Sequence, residues 1–254
     1  MDLSSLGGLV LGVVAVVAGM LLKEVGLDAL INPAAILIII VGTIAAVTIA
    51  TPIKELMNVG RLFGVVFTIP KFMSPNEAIG KILEFAEMAR REGLLVLENR
   101  IHEESDPFLI RGLQLLVDGV DSDQLSEAME ADIVAMESRH AANANIFSQA
   151  GTYAPTLGVL GAVLGLIAAL KHMEDTTALG YAISAAFVAT LLGIFTGYVL
   201  WHPMANKLRR KSKQEVLVRT IIMEGIVGIC RGMNPRMLKD NLSNYIAAGE
   251  RDVG

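Results

Sequence analysis

Four stretches of this 254-residue chain carry no Asp, Glu, Lys or Arg over a length that can cross a bilayer: residues 3–22, 32–53, 151–170 and 178–204. Each reaches the roughly 20 apolar residues that a spanning helix needs. The composition agrees, with 53% hydrophobic residues, 19% charged and a mean hydropathy of +0.55, where a soluble domain carries about a quarter charged residues. Aromatics make up only 5%, against 24 Gly and 12 Met, a profile of closely packed membrane helices that excludes a disordered, collagenous or disulfide-stapled chain. Cys230 is alone and forms no internal bridge, so no oxidising compartment is implied. No basic residue precedes the first apolar run and no Ala-x-Ala signal follows it, so the first span is expected to be retained.

Orientation follows from Lys and Arg. The links between spans 1 and 2 and between spans 3 and 4 hold one basic residue each, Lys23 and Lys171, whereas 52–150 holds nine and the tail after Met204 holds ten. Nineteen of the twenty-one bases thus fall on one side. The positive-inside rule places both long segments and both termini in the cytoplasm. Those segments are oppositely charged, −7 over 52–150 and +5 over the tail, and are expected to pack together. The cluster Lys207, Arg209, Arg210, Lys211 and Lys213 directly after span 4 reads as a stop-transfer and headgroup anchor. The overall charge of −5 argues against nucleic acid as a partner.

The long cytosolic segment reads as helical throughout. Ser74-Pro75-Asn76-Glu77 is a capping box with proline at the first helical position, followed by Ile79, Ile82, Leu83, Ala86 and Ala89 at helical spacing. Gly93 ends that helix. Asp106-Pro107 opens another that stops near Asp118-Gly119, and Asp121-Ser122-Asp123 starts a long polar helix that can run unbroken into span 3. No alternating strand pattern, internal repeat or low-complexity stretch occurs. The fold class is an all-α membrane protein: spanning hairpins at 1–53 and 151–204, and cytoplasmic helical regions at 54–150 and 205–254.

Enzyme signatures are missing. The sequence has no P-loop, no Gly-x-Ser-x-Gly and no His or Cys pair at metal-ligand spacing; His102, His140, His172 and His202 are scattered and read as structural. No catalysis, cofactor or metal is expected. None of the spans holds a carboxylate or an amine, so the chain by itself has no intramembrane group to bind and release a proton. Spans 3 and 4 nevertheless carry Thr152, Tyr153, Thr156, Ser184, Thr190 and Thr196. Singly such hydroxyls often bond their own backbone; together they suggest a polar seam, and a titrating acid for it has to come from another subunit. Gly8/Gly12, Gly161/Gly165 and Gly193/Gly197 form Gly-x-x-x-Gly pairs that favour close helix packing and oligomers.

Several runs resemble the flagellar motor stator proteins of the MotA family, bacillus-type members above all: APTLGVLGAVLG at 154–165, ATLLG at 189–193, WHPMANKL at 201–208, ARREGLLVLE at 89–98 and LVDG at 116–119. The resemblance covers nearly the whole chain, with span order and loop sizes. It implies a homopentamer around a dimer of a peptidoglycan-anchored MotB-type partner, whose spanning helix supplies the proton-binding Asp. Ion flow then drives rotation of the ring, whose cytosolic domains push on the rotor protein FliG.

By position, the resemblance implies rotor interaction at Arg90, Arg91 and Glu98. It implies conformational coupling at Pro155 and Pro203, and an ion pathway past Thr190, with Tyr153 toward its cytosolic mouth and Thr156 on the same seam. Ala162 stands where sodium-driven relatives have a threonine; a methyl group cannot coordinate sodium, so H+ is the expected ion and Na+ the alternative. The related ExbB and TolQ energisers of transport are a further reading, disfavoured by the intact first hairpin because those relatives usually have three spans.

Overall fold

The computed structural model describes residues 2–26, 30–70, 72–171, 173–247 and 249; His172 lies outside them. The described residues are helical, with no strand among them. Among the described residues, four helical stretches are long and apolar enough to cross a membrane. The first is α1 (Leu3–Leu22). The second is α2 (Pro33–Ile36), a π-helical stretch at Leu37–Val41, and α3 (Gly42–Ala50). Pro52 breaks the second span before α4 (Ile53–Leu56) and α5 (Val59–Phe67). There follow α6 (Pro75–Glu92), α7 (Leu97–Ile101) and α8 (Pro107–Val117), then α9 (Ser122–Leu170), 49 residues without a break. The fourth stretch is α10 (Thr176–Phe195), a second π-helical stretch at Thr196–Trp201, and α11 (His202–Cys230); α12 (Pro235–Ser243) comes last.

Local chemistry sets the helix starts. Asp2, Asn32, Asp106, Asp175 and Asn234 each accept backbone N–H groups of the first turn, and prolines follow three of them. The expected capping box is formed: Ser74 Oγ accepts the Glu77 N–H at 3.2 Å while Glu77 Oε2 accepts the Ser74 N–H at 3.3 Å. Gly93, at φ 88°, ends α6 in a conformation open to glycine at little cost. The expected long helix from Ser122 runs through span 3, past Pro155.

The chain forms two compact units, Met1–Ile69 with His140–Arg209 and Pro70–Arg139 with Arg210–Gly254. In the second, α6 to α8, the start of α9, most of α11 and α12 share one core around Ile82, Leu109, Leu113, Leu125, Ile222 and Ile226, all essentially inaccessible. Burying each such side chain is worth about 1.5–3 kcal/mol. The oppositely charged segments do pack together, then, but through apolar surface. Charge decorates the rim, where Arg231 pairs with Asp123 at 3.1 Å and the Arg219 guanidinium lies 5.0 Å over the Phe108 ring.

In the first unit, α5 buries Leu62 and Val66 against Val47, Phe147, Ala150 and Met204, so this short amphipathic helix belongs with the spanning helices. A polar clasp fixes the start of span 1. The Asp2 N–H donates to the Phe67 carbonyl at 2.8 Å, and Asp2 Oδ2 meets Lys207 Nζ at 2.6 Å. The same ammonium reaches Ser4 Oγ at 3.1 Å. Lys207, read from sequence as part of a headgroup anchor, is thus engaged within the chain.

The Lys207 and Ser4 hydrogen bonds hold the Asp2 carboxyl well below the ordinary carboxylate range. A depressed value means that the clasp stabilises above the unfolded-state value and loses that effect only as pH falls through the folded-state value. Asp2→Asn is therefore expected to lower the melting temperature of the detergent-solubilised protein by the same margin across about pH 6 to 8. A margin that vanishes within that window would contradict the clasp.

Candidate functional site

The interface between span 3 and span 4 is built from small residues that let two backbones touch. A Cβ on Gly158 would lie 2.9 Å from the Ala189 carbonyl oxygen, and one on Gly193 would lie 2.8 Å from the Ala154 carbonyl oxygen. One turn further along, Gly161 faces the Ala189 methyl and Gly165 faces the Ala186 methyl. Without a hydrophobic drive between helices in lipid, such close van der Waals contact is what holds them. The Gly-x-x-x-Gly pairs of these spans therefore serve packing inside the chain. The pair in α1 does so only at Gly12, which abuts Val199, while Gly8 has no neighbour that an added methyl would touch.

Toward one end of this seam the contact becomes a proline-on-glycine interlock. Pro155 has no N–H to give the carbonyl four residues back, that of Gly151. Gly197, inside the wide turns of span 4, sits against both: its absent Cβ would fall 2.7 Å from Pro155 Cγ and 2.8 Å from the Gly151 oxygen. His202 then packs its ring on Gly151, within 2.8–2.9 Å of where a Cβ would be, and is 5.3 Å from the Tyr198 ring. π-helical turns interrupt α-helices mostly at functional sites and locally disturb the regular ladder. Pro155 and Pro203 both lie within continuous helical runs and end neither, and Pro203 is exposed directly after the wide turns.

Around this seam lie the residues expected to line an ion path. Thr190 is half-buried beside Ala189, its hydroxyl donating to the Ala186 carbonyl at 3.3 Å. Ala162, half-buried, follows Gly161 on α9. Tyr153 is half-buried against the cluster of Val47, Phe147 and Ala150. Thr156 is exposed, and its hydroxyl donates to the Thr152 and Tyr153 carbonyls at 3.2 and 2.8 Å. Thr152 and Thr196 bond their own backbone in the same way, so these hydroxyls spend their protons locally and keep an oxygen lone pair available. Beside them, α9 and α10 leave Val159, Val163, Ile167, Phe187 and Ile194 exposed, an apolar surface suited to lipid or another chain. No group of three or more possible metal ligands occurs among the described residues.

In the second unit, the expected rotor-facing residues lie at the end of one helix and the start of the next. Arg90 and Arg91 lie in the last turn of α6 and Glu98 in the first turn of α7, and all three are exposed. Arg91 pairs with Glu87 at 3.3 Å, both open to solvent. Leu95, 74% exposed, lies between them in sequence. Sequence reasoning missed Gly151, Gly158, Gly197 and His202 as a set; their signal is the recurrence of small residues every three to four positions along both spans.

This architecture has close counterparts. Residues 100–220 match the model of the MotA/TolQ/ExbB proton channel family. Motility protein A of Bacillus subtilis (strain 168) is 56% identical over 251 residues, 99% of this chain and 93% of that protein. The chain belongs to this family. Among solved structures of family members, the flagellar MotAB stator complex from Bacillus subtilis superposes with a TM-score of 0.93 at 56% identity, covering 98% of both chains. C. jejuni MotAB gives a TM-score of 0.95 at 33% identity, over 100% of this chain and 99% of that one. The family membership, the four helices able to span and the stator likeness make this a multi-pass inner-membrane protein.

Proposed function

We propose that this chain, a stator subunit of the bacterial flagellar motor, forms with a MotB-type partner a proton channel whose ion flow turns a ring of its copies and so generates torque on the rotor. The observation that carries the reading is a membrane seam with hydroxyls but no carboxylate or amine in any span. A site of this kind conducts only when another chain inserts an acid, and two of the solved structures it resembles are MotAB complexes. The partner's Asp, when protonated, loses its charge and its preference for the polar side of the seam; a change in differential affinity of that kind biases a step. Thr190 and Thr156 offer oxygen lone pairs along the way, and the Pro155–Gly197 interlock passes the movement along the helix. Five copies around two partners, cytoplasmic termini and contact with FliG through Arg90, Arg91 and Glu98 complete the proposal. The methyl of Ala162 favours H+ over Na+, because it offers no oxygen to a hard cation.

Two measurements test it. In a stator-deleted host carrying this chain and its partner, swimming should be independent of sodium at fixed proton-motive force and abolished by a protonophore. Speed that rises with sodium and survives the protonophore would overturn the ion assignment. Liposomes containing this chain alone should pass no protons; a flux from the chain alone would remove the need for a partner acid.

A further inference from the structure

Two polar groups in the first unit are buried without a protein partner, the hydroxyl of Thr43 and the indole N–H of Trp201. Thr43 is 4% exposed. It breaks a pattern: Thr48, Thr152, Thr156, Thr190, Thr196 and Thr220 all donate to the carbonyl four residues back. For Thr43 that carbonyl belongs to Ile39, within the π-helical stretch Leu37–Val41. Trp201 closes the other π-helical stretch. Each orphan therefore sits at the end of a wide turn, where the backbone ladder has been displaced.

The same two apolar clusters surround both groups. Ala35, Ile39, Thr43 and Val47 recur every four residues as the buried face of span 2. Trp201 packs against the cluster holding Ala35, Ile39, Ala154 and Ala189, and also against the cluster holding Val47 and Phe147, with its ring 6.1 Å from that of Phe63. Thr43 is the turn between Ile39 and Val47, which belong to the two clusters that Trp201 packs against.

We infer that the Thr43 hydroxyl and the Trp201 indole bind an ordered water inside each subunit, between span 2 and the wide turns of span 4. The chemistry of the pair selects the occupant. An indole N–H only donates, so the occupant must accept a hydrogen bond, which excludes sodium or any other metal cation. An anion would be left uncompensated, since no Lys or Arg lies in span 2 or in 178–204. Water accepts from the indole and both donates to and accepts from a hydroxyl, and buried waters recur where such groups lack protein partners. It ties the end of the wide turns, one helical turn beyond the Pro155–Gly197 interlock, to span 2. This inference does not depend on which ion the complex carries.

Trp201 is the single tryptophan of the chain, so the difference between wild-type and Trp201→Phe complexes, labelled with ¹⁵N-indole tryptophan and reconstituted in membranes, isolates its signal even beside a tryptophan-containing partner. Solid-state NMR should show magnetisation transfer from water to the indole proton in the wild type. The transfer should be lost in Thr43→Val, which keeps the shape and removes the hydroxyl, and retained in Thr43→Ser. No transfer in the wild type would overturn the inference, whether the indole is dry or bonded directly to the hydroxyl. Transfer unchanged in Thr43→Val would overturn it equally, and the wild-type result decides even where a variant fails to assemble.

Discussion

Gly193→Val is expected to abolish swimming and to remove most of the assembled protein from the membrane. The cause is backbone against backbone: an added Cβ would sit 2.8 Å from the Ala154 carbonyl oxygen and 2.9 Å from Gly158 Cα, and neither can rotate away as a side-chain tip could. The helices must separate along the whole seam, and overpacking of this kind costs about 1–3 kcal/mol in a well-packed core. Gly193→Ala should already impair motility, and Gly158→Val should match Gly193→Val. Gly80→Ala is the control. That glycine is exposed within α6 with no neighbour inside 4 Å, and alanine there improves helix propensity by up to about 1 kcal/mol. Swim-plate diameter together with the yield of monodisperse complex makes the check. Normal motility of Gly193→Val at normal abundance would show that the two spans do not meet as described.

Reversing charge at the end of α6 and the start of α7 should do the opposite: spare the assembly and remove the torque. Arg90→Glu and Glu98→Lys both change exposed side chains outside the buried core of their unit. Exposed ion pairs contribute little to stability, typically about 0.2–1 kcal/mol, so stator abundance and melting temperature should stay near wild type. Swimming should fall severely, because a charged surface that engages a partner meets like charge after reversal. Wild-type swimming speed in both variants would remove this surface from torque transmission, and loss of the complex from the membrane would assign the residues a structural role.

Much of the molecule was legible in advance because its signals are local. A run without charge reports a span from its own composition, and Ser74-Pro75-Asn76-Glu77 reports a helix start, since the atoms that satisfy the first turn lie three residues apart. The unbroken path from Ser122 into span 3 could be read for the same reason. The Gly-x-x-x-Gly pairs were legible as faces for close approach, but what each faces was not. Gly161 and Gly165 meet Ala189 and Ala186 of the same chain, whereas Gly8 meets nothing within 4 Å. The polar seam was likewise half-read. The hydroxyls of Thr152, Thr156, Thr190 and Thr196 are present as expected, yet all of them donate to their own helix.

The amino-acid order alone thus determined the all-helical class, the four spans, the helix starts and the lack of any acid or amine in the membrane, all of which depend on neighbours within a few turns. The tertiary structure decided what depends on residues far apart. It gave α5 to the spanning unit through Leu62 and Val66, closed Asp2 on Lys207, set Gly197 against Pro155, and left the Thr43 hydroxyl and the Trp201 indole N–H buried without hydrogen-bond partners. Helical periodicity can say which residues share a face. Only the packing of one face on another says which backbone atoms come within 3 Å and which polar atoms are left to seek a partner.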